Sequence, residues 1–417
     1  MLKVLPCLFL PLSLALGDWP QYHGPFWDKS TGSTIVNGNQ LNSSTRVIWK
    51  SPTPLGFSSF SIQDNLAFTL VAEEDEDGLL REVCIALDKT SGKRIWQQNL
   101  GMASYGHAGG NAGTRENSGG DGPRSTPSVK NGRIFIYDSS MVLYCLSAKS
   151  GKKIWKVDVI DDHEGQNIMW KNASSPLLIE DLVIIGGGGK NQSLIAFNQM
   201  TGRVKWKTGT ETLTHTTPVF AKIHGLEQVI FLCRSGLVSL EPKNGKELWR
   251  QEFPFKVSTA SSPVVANDHI FCSAGYGVGA GVFKISFKGG KWESDLVWRK
   301  RNELMNHWST PLYYQGNLYG IFGFKEYGKA PLQCVDLKTG EIRWSEKGFG
   351  PGNLIRSGET LWVLSDDGQI VAVSATPSGY NELGRSKILS GKCWTTPTMS
   401  ENVLLVRSTK EAAALLF

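Results

Sequence analysis

Apolar positions return along the chain in runs of strand length, separated by polar turns that carry glycine, as in Val129-Lys-Asn-Gly-Arg-Ile-Phe-Ile136 and Leu312-Tyr-Tyr-Gln-Gly-Asn-Leu-Tyr319. This pattern predicts β-hairpins, and its content of Val, Ile, Thr and Gly disfavours tandem helices. One longer phrase repeats: a small residue and an apolar one, a turn with Gly, then charged residues and Trp. It reads Ala86-Leu-Asp-Lys-Thr-Ser-Gly-Lys-Arg-Ile-Trp96 in one copy and recurs as Cys145 to Trp155, Ala196 to Trp206, Ser239 to Trp249 and Cys334 to Trp344. A stretched copy runs from Lys284 to Trp298. A degenerate one begins at Ala372 and reaches Leu383 where Trp would stand, and Trp49 lacks an upstream half. The phrase predicts an extended stretch, a turn whose Gly supplies a positive φ, and a strand whose Trp caps a hydrophobic layer.

From Trp49 to Trp344 there are 295 residues in six steps, about 49 per unit. That period suits a four-stranded propeller blade. A second mark has the same period, a Ser/Thr-Pro step at Thr126, Ser175, Thr217, Ser262, Thr310 and Thr396, with a double gap before the last. Proline is tolerated at the first position of a strand, where its missing N–H is not needed. The units start near Phe57, Thr126, Ser175, Thr217, Ser262, Thr310 and Leu354, and an eighth starts at Thr396 but ends at Phe417 without a Trp strand. The orphan Trp49 strand supplies what it lacks and removes the exposed sheet edges. The expected fold is therefore all-β: one eight-bladed propeller of four-stranded antiparallel blades over residues 18–417, closed by its N-terminal strand, with Trp49, Trp96, Trp155, Trp206, Trp249, Trp298 and Trp344 docking the blades.

Composition adds limits. Forty-four Lys and Arg against 38 Asp and Glu give a net charge of +6, scattered without a basic run, so nucleic acid is not an expected partner. Residues 1–17 carry Lys3, an apolar stretch from Val4 to Leu16 and a small-residue end, which reads as a secretory signal peptide. The stretch is too short to span a bilayer and no later one qualifies. A periplasmic or secreted monomer is expected. The remaining cysteines, Cys84, Cys145, Cys233, Cys272, Cys334 and Cys393, form no CxxC and no adjacent pair, which excludes a zinc ribbon and covalent haem. Ala86, Cys145, Ala196, Ser239, Cys334 and Ala372 share one position, so Cys145 and Cys334 read as packing residues in separate blades.

The Trp phrase resembles the tryptophan-docking repeat of quinoprotein propellers, the class that includes alcohol dehydrogenases using pyrroloquinoline quinone. The opening Asp18-Trp-Pro-Gln-Tyr-His-Gly-Pro25, Gly122-Pro-Arg-Ser-Thr-Pro127 and the close Val406-Arg-Ser-Thr-Lys-Glu are similar to exported bacterial quinone-repeat propellers. The resemblance covers essentially all of the chain after residue 17 and implies the propeller. Function does not follow from the fold, because a scaffold lipoprotein that helps assemble outer-membrane β-barrels uses it without cofactor. The dehydrogenases of the class resemble one another in an adjacent cysteine pair, a calcium held by carboxylate and amide oxygens, and an Asp base. This sequence has no Cys-Cys, and Asp161-Asp162 and Asp366-Asp367 sit in expected loops or turns without calcium-ligand spacing. The latter, followed by Gly368, reads as a hairpin turn; Gly186 to Gly189 reads as a bulged turn, not a phosphate cradle.

In a propeller the residue just before each inner strand faces a mouth of the channel. Three positions before each marked Pro stand Arg124, Ala173, His215, Ala260, Trp308 and Trp394, with Trp170, Asn306, His307 and Lys392 beside them. Aromatic faces with a few polar groups suit a planar or sugar-like ligand. A Gly-rich insertion between Trp96 and Thr126, holding His107, is expected to fold over that mouth. No catalytic or metal-ligand motif occurs. The leading expectation is a non-catalytic binding or scaffold module for an unknown protein or glycan, with no certain cofactor. The runner-up is an oxidoreductase with quinone and calcium acting on an alcohol or sugar, Trp308 and Trp394 stacking the quinone and Arg124 or Lys392 pairing with its carboxylates; a third is a polysaccharide-binding module.

Overall fold

A computed structural model describes residues 17–32, 36–41, 45–105, 122–257, 259–323 and 326–417. Eight four-stranded antiparallel sheets form an eight-bladed propeller. Blades 1 to 7 are consecutive meanders over 61–102, 128–158, 177–208, 219–252, 264–300, 312–346 and 353–387. Blade 8 takes three strands from 398–416, and its fourth is Arg46–Pro52, paired antiparallel with Glu411–Leu416. The chain thus closes its ring with its own N-terminal strand. Among the described residues no helix is long and apolar enough to cross a membrane.

The Trp phrase locks each blade to the next. The indole N–H of Trp49 donates to Lys89 O at 2.8 Å, Trp96 to Ala148 O at 2.9 Å, Trp155 to Gln199 O at 3.1 Å and Trp206 to Pro242 O at 2.7 Å. Trp298 and Trp344 reach Leu337 O and Thr376 O in the same way. Within its own sheet each Trp lies opposite the small residue, as Ala86 opposite Trp96 and Cys145 opposite Trp155. The turn glycine serves two ends. Gly92 and Gly151 both have φ of 69°, and a Cβ on either would come within 2.6 Å of the ring of Trp49 or Trp96.

Two blades depart from the phrase. In blade 5, Val282 stands opposite Trp298, so the copy begins two residues before the Lys284 read from the sequence. Its outer strands, Gly279–Lys288 and Lys291–Lys300, are ten residues each. The lengthened hairpin lies against blade 4, His224 Nε2 being 2.8 Å from Ile285 O, and Trp249 Nε1 turns back to Gln228 Oε1 of its own blade at 2.7 Å. In blade 7 the residue opposite Ala372 is Gly384, not Leu383. A Cβ on Gly384 would meet Leu41 O at 1.9 Å, because the segment 36–41 lies where the other blades hold Trp.

The Ser/Thr-Pro marks form a second ring, inside the first. The N–H of Thr126 donates to Ser175 Oγ at 2.8 Å, Ser175 to Thr217, Thr217 to Ser262 and Ser262 to Thr310. On the other side Thr396 N–H donates to Ser59 Oγ and Ser59 N–H to Thr126 Oγ1. Each hydroxyl accepts the N–H that would otherwise be orphaned at the start of a neighbouring inner strand. Blade 7, without the mark, has Asn353 there, and its Nδ2 donates to Trp394 O.

The six cysteines from Cys84 to Cys393 are buried free thiols. Asp366 and Asp367 lie in the turn between Thr360–Leu364 and Gln369–Ser374. Asp161 and Asp162 occupy a one-turn helix, Val159–His163, rather than a loop; Asp158 caps it by accepting from Ile160 N and Asp161 N. The backbone leaves Leu182–Gly186 at Gly186 and turns before Leu194–Asn198.

Candidate functional site

The two ends of the channel differ. At the end where the inner strands begin, the structure brings Trp308 and Trp394 together, stacked with centroids 4.8 Å apart. Phe57 stacks on Trp394 at 4.7 Å and Tyr327 at 5.6 Å. His307 lies edge-on to Trp308 at 4.6 Å and to Tyr276 at 5.4 Å, and Lys392 Nζ stands 5.6 Å from the Trp394 ring. Trp308 Nε1, Trp394 Nε1 and the Tyr327 hydroxyl are buried with no hydrogen-bond partner among the described residues. Burial pushes the Tyr327 hydroxyl up to about 12 and brings the Lys392 amine down.

A second group forms beside it. Arg124 donates to Trp170 O at 2.5 Å and lies 5.5 Å from the Tyr105 ring. The Trp170 and His215 rings are 6.3 Å apart, and His215 Nε2 lies 2.9 Å from Lys171 O. Burial, then the nearby Arg124 and His307, brings His215 down to about 3. Asn306 ties blades 5 and 6 together, its N–H donating to Ser273 Oγ and its Nδ2 to Ile321 O, both at 2.8 Å. His107 and the Gly-rich stretch 106–121 lie outside the described residues.

Behind Arg124 lies an acidic pair that the sequence did not single out. Glu82 bonds the Tyr105 hydroxyl and accepts from Ser139 N, and Asp138 accepts from Ser140 N and Val142 N. Burial raises both carboxyls; the Glu82 charge raises Asp138 further, while the Tyr105 hydroxyl, Ser139 and Arg124 pull Glu82 back down. Phe57 and Tyr327 were also missed. Phe57 stands two residues before Ser59, the offset of Trp308 and Trp394 from Thr310 and Thr396, but Phe60 replaces the proline that marks the other blades.

The opposite end is stoppered by the chain itself. Segment 18–31 crosses it, pairing Trp19 with Ile62 of blade 1 and Ser30 with Arg356 of blade 7. On the way Pro20 O accepts from Val129 N of blade 2, and Trp27 packs on Phe220 of blade 4 at 4.7 Å. Tyr22 faces Thr396 and Thr310 inside the channel. Lys29, 2% exposed, sends Nζ to Thr310 O at 2.5 Å and Asn353 Oδ1 at 3.3 Å, so it sits where the hydroxyl ring is interrupted. Burial alone brings its amine down to about 7. His23, 4% exposed, falls to about 3 through burial and then through Lys29.

The family described as outer membrane protein assembly factor BamB, of the PQQ_2 repeat type, matches residues 81–346, more than half of the chain. The chain belongs to this family. BamB of Shewanella oneidensis is 26% identical over 300 residues, 68% of this chain and 71% of that protein. A tetrathionate hydrolase of Acidithiobacillus ferrooxidans is 29% identical over 226 residues, 54% of this chain but only 37% of the hydrolase. Among solved structures, the quinohemoprotein alcohol dehydrogenase of Comamonas testosteroni superposes with a TM-score of 0.70 at 12% identity, over 97% of this chain and 81% of that one. BamB of Moraxella catarrhalis gives 0.59 at 14% identity, over 90% of this chain and 98% of that one. At such identities the likeness is one of fold.

Proposed function

We propose that this BamB-family propeller is an exported, non-catalytic binding module that serves as a scaffold in outer membrane protein assembly, engaging its partner through the aromatic mouth. One observation carries this reading: the mouth is filled by its own rings. A quinone held between two flat side chains needs their planes about 7 Å apart, two contacts of about 3.5 Å. Trp308 and Trp394 are 4.8 Å apart by centroid, and Phe57 and Tyr327 crowd Trp394 besides. Nor do three or more His, Cys, Asp or Glu side chains converge to hold a metal ion among the described residues. The residues present therefore do not fit a quinone with calcium. Family membership favours a protein partner over a glycan, and the leader read at residues 1–17 supports export.

The experiment is retention. The immobilised protein is expected to hold outer-membrane β-barrel assembly components from detergent-solubilised envelopes of its own cell. Trp308→Ala with Lys392→Ala is expected to cut that retention about tenfold, as for a central aromatic anchor. No retention by the wild type, or equal retention by the double variant at an unchanged melting temperature, would overturn the reading.

A further inference from the structure

The stopper leaves one side of the channel end open. Segment 18–31 touches the inner strands of blades 1, 2, 3, 4 and 7 and sends Lys29 to blade 6, but opposite Val264 and Val265 of blade 5 it leaves a gap. There it leaves a cleft of about 240 Å³, smaller than the roughly 300–1,000 Å³ of a drug-sized site. Its walls include His23, Trp27, Lys29, Phe220, Thr310 and Tyr313.

Three features of this cleft are unusual together. The first is an ammonium with no carboxylate: Lys29 Nζ bonds only neutral oxygens, on Thr310 and Asn353, and no ion pair to it forms among the described residues. A buried charge of this kind is costly unless a counter-charge arrives. Asp28, also on the rim, spends Oδ1 on the N–H and hydroxyl of Ser30. The second is unspent polar capacity: Trp27 Nε1 and His23 Nε2 are buried without partners among the described residues. Indole N–H and ammonium groups can only donate, so whatever satisfies them must accept. The third is strain. Trp27 and Lys29 have φ of 58° and 64°, the left-handed region that a bulky side chain rarely adopts, held by Lys29 N–H donating to His23 O at 2.9 Å. That backbone turns the Trp27 ring onto Phe220 and the Lys29 stem inward. Trp27, Phe220 and Tyr313 then offer flat apolar faces beside the cation.

We propose that this cleft is a binding site for a small carboxylate with a ring-shaped body, its carboxylate on Lys29 and its ring among Trp27, Phe220 and Tyr313. The bond to Lys29 would be charge-assisted, the stronger class of hydrogen bond. The site is independent of the aromatic mouth and does not rest on the assembly role.

The test is a titration of the whole protein with benzoate, against benzyl alcohol as its uncharged counterpart, followed by calorimetry and ligand-observed NMR. Saturable benzoate binding is expected, weaker by about tenfold or more for benzyl alcohol and in Lys29→Met. The carboxylate should also raise the Lys29 amine, so that near pH 8 benzoate binding takes up protons, measured in two buffers of different ionisation enthalpy. That readout uses the wild type alone and stands even if Lys29→Met does not fold. Absence of saturable binding, binding unchanged in a folded Lys29→Met, or binding without proton uptake would overturn the proposal.

Discussion

Arg407→Ala is expected to lower the stability of the propeller by about 3–5 kcal/mol, measured by urea unfolding at pH 7. Arg407 ends the strand Val403–Arg407 of blade 8 and is 1% exposed. Its guanidinium donates to Ser58 O at 2.9 Å, Thr69 Oγ1 at 2.6 Å, Leu70 O at 2.5 Å and Leu55 O at 2.7 Å, all in blade 1 or its approach. It therefore clamps the last blade to the first, beside the closing strand Arg46–Pro52. Burial brings it down to about 9, which leaves it charged at neutral pH. Alanine would take a donor from four acceptors in a dry seam; Ser58 O and the Thr69 hydroxyl keep their mutual bond at 3.1 Å, and an acceptor left unmet costs about 1–3 kcal/mol, less whatever water restores. Arg407→Lys, with three donors on one atom in place of a fork, should recover only part of the loss. A loss below about 1 kcal/mol for alanine would show that the Arg46–Pro52 strand alone closes the ring.

Acid is expected to be the second strong perturbation. His23 in the stopper has a folded pKa of about 3 against an ordinary 6.5, because burial and the neighbouring Lys29 hold its ring neutral. Above pH 6.5 both folded and unfolded states carry the neutral ring and nothing is lost. As pH falls from 6.5 towards 3 the unfolded chain takes up the proton first, so stability declines through that window, by on the order of 4 kcal/mol for His23 at the low end. His215 acts in the same direction, but it is partly exposed and adds less. Glu82 and Asp138, raised by burial, act the opposite way: they destabilise as pH climbs above the ordinary carboxylate range and are relieved in acid. The effect of His23 is isolated by His23→Phe, which keeps a flat ring against Tyr22. Between pH 7 and pH 4 the variant should lose markedly less stability than the wild type; equal losses would mean that His23 is not held neutral.

The blades were legible because their defining contacts are local in the sequence or repeat with a period. A small residue, a turn glycine and a Trp fall within eleven positions, and the position opposite each Trp follows from hairpin pairing alone. Ring closure was legible for the same reason, since an orphan Trp strand and a blade lacking one are complementary. Where the phrase is distorted, the reading slipped: the long hairpin of blade 5 moved its start to Val282, and Gly384 of blade 7 is explained only by Leu41, more than three hundred residues away in the chain. The hydroxyl ring was visible as Ser/Thr-Pro steps, but its bonds join residues one blade apart, so the hydroxyl's role could not be read from any single copy. The stopper was the least legible part. Asp18 to Ser30 has no period, and Lys29 meets its partners 281 and 324 residues on. Arg407 left a faint signal, a lone cation ending the apolar run Val403-Leu-Leu-Val, which resembles a strand end until the seam with blade 1 is seen.

If the mouth is filled by the protein's own rings and the molecule binds without catalysing, as proposed, it should take up no quinone. Adding pyrroloquinoline quinone and calcium to the purified protein, with melting temperature and dye-linked oxidation of alcohols and sugars as readouts, tests this most directly. An unchanged melting temperature and no dye reduction are predicted. A rise in melting temperature that Trp308→Ala abolishes, or turnover of any of these substrates, would contradict it.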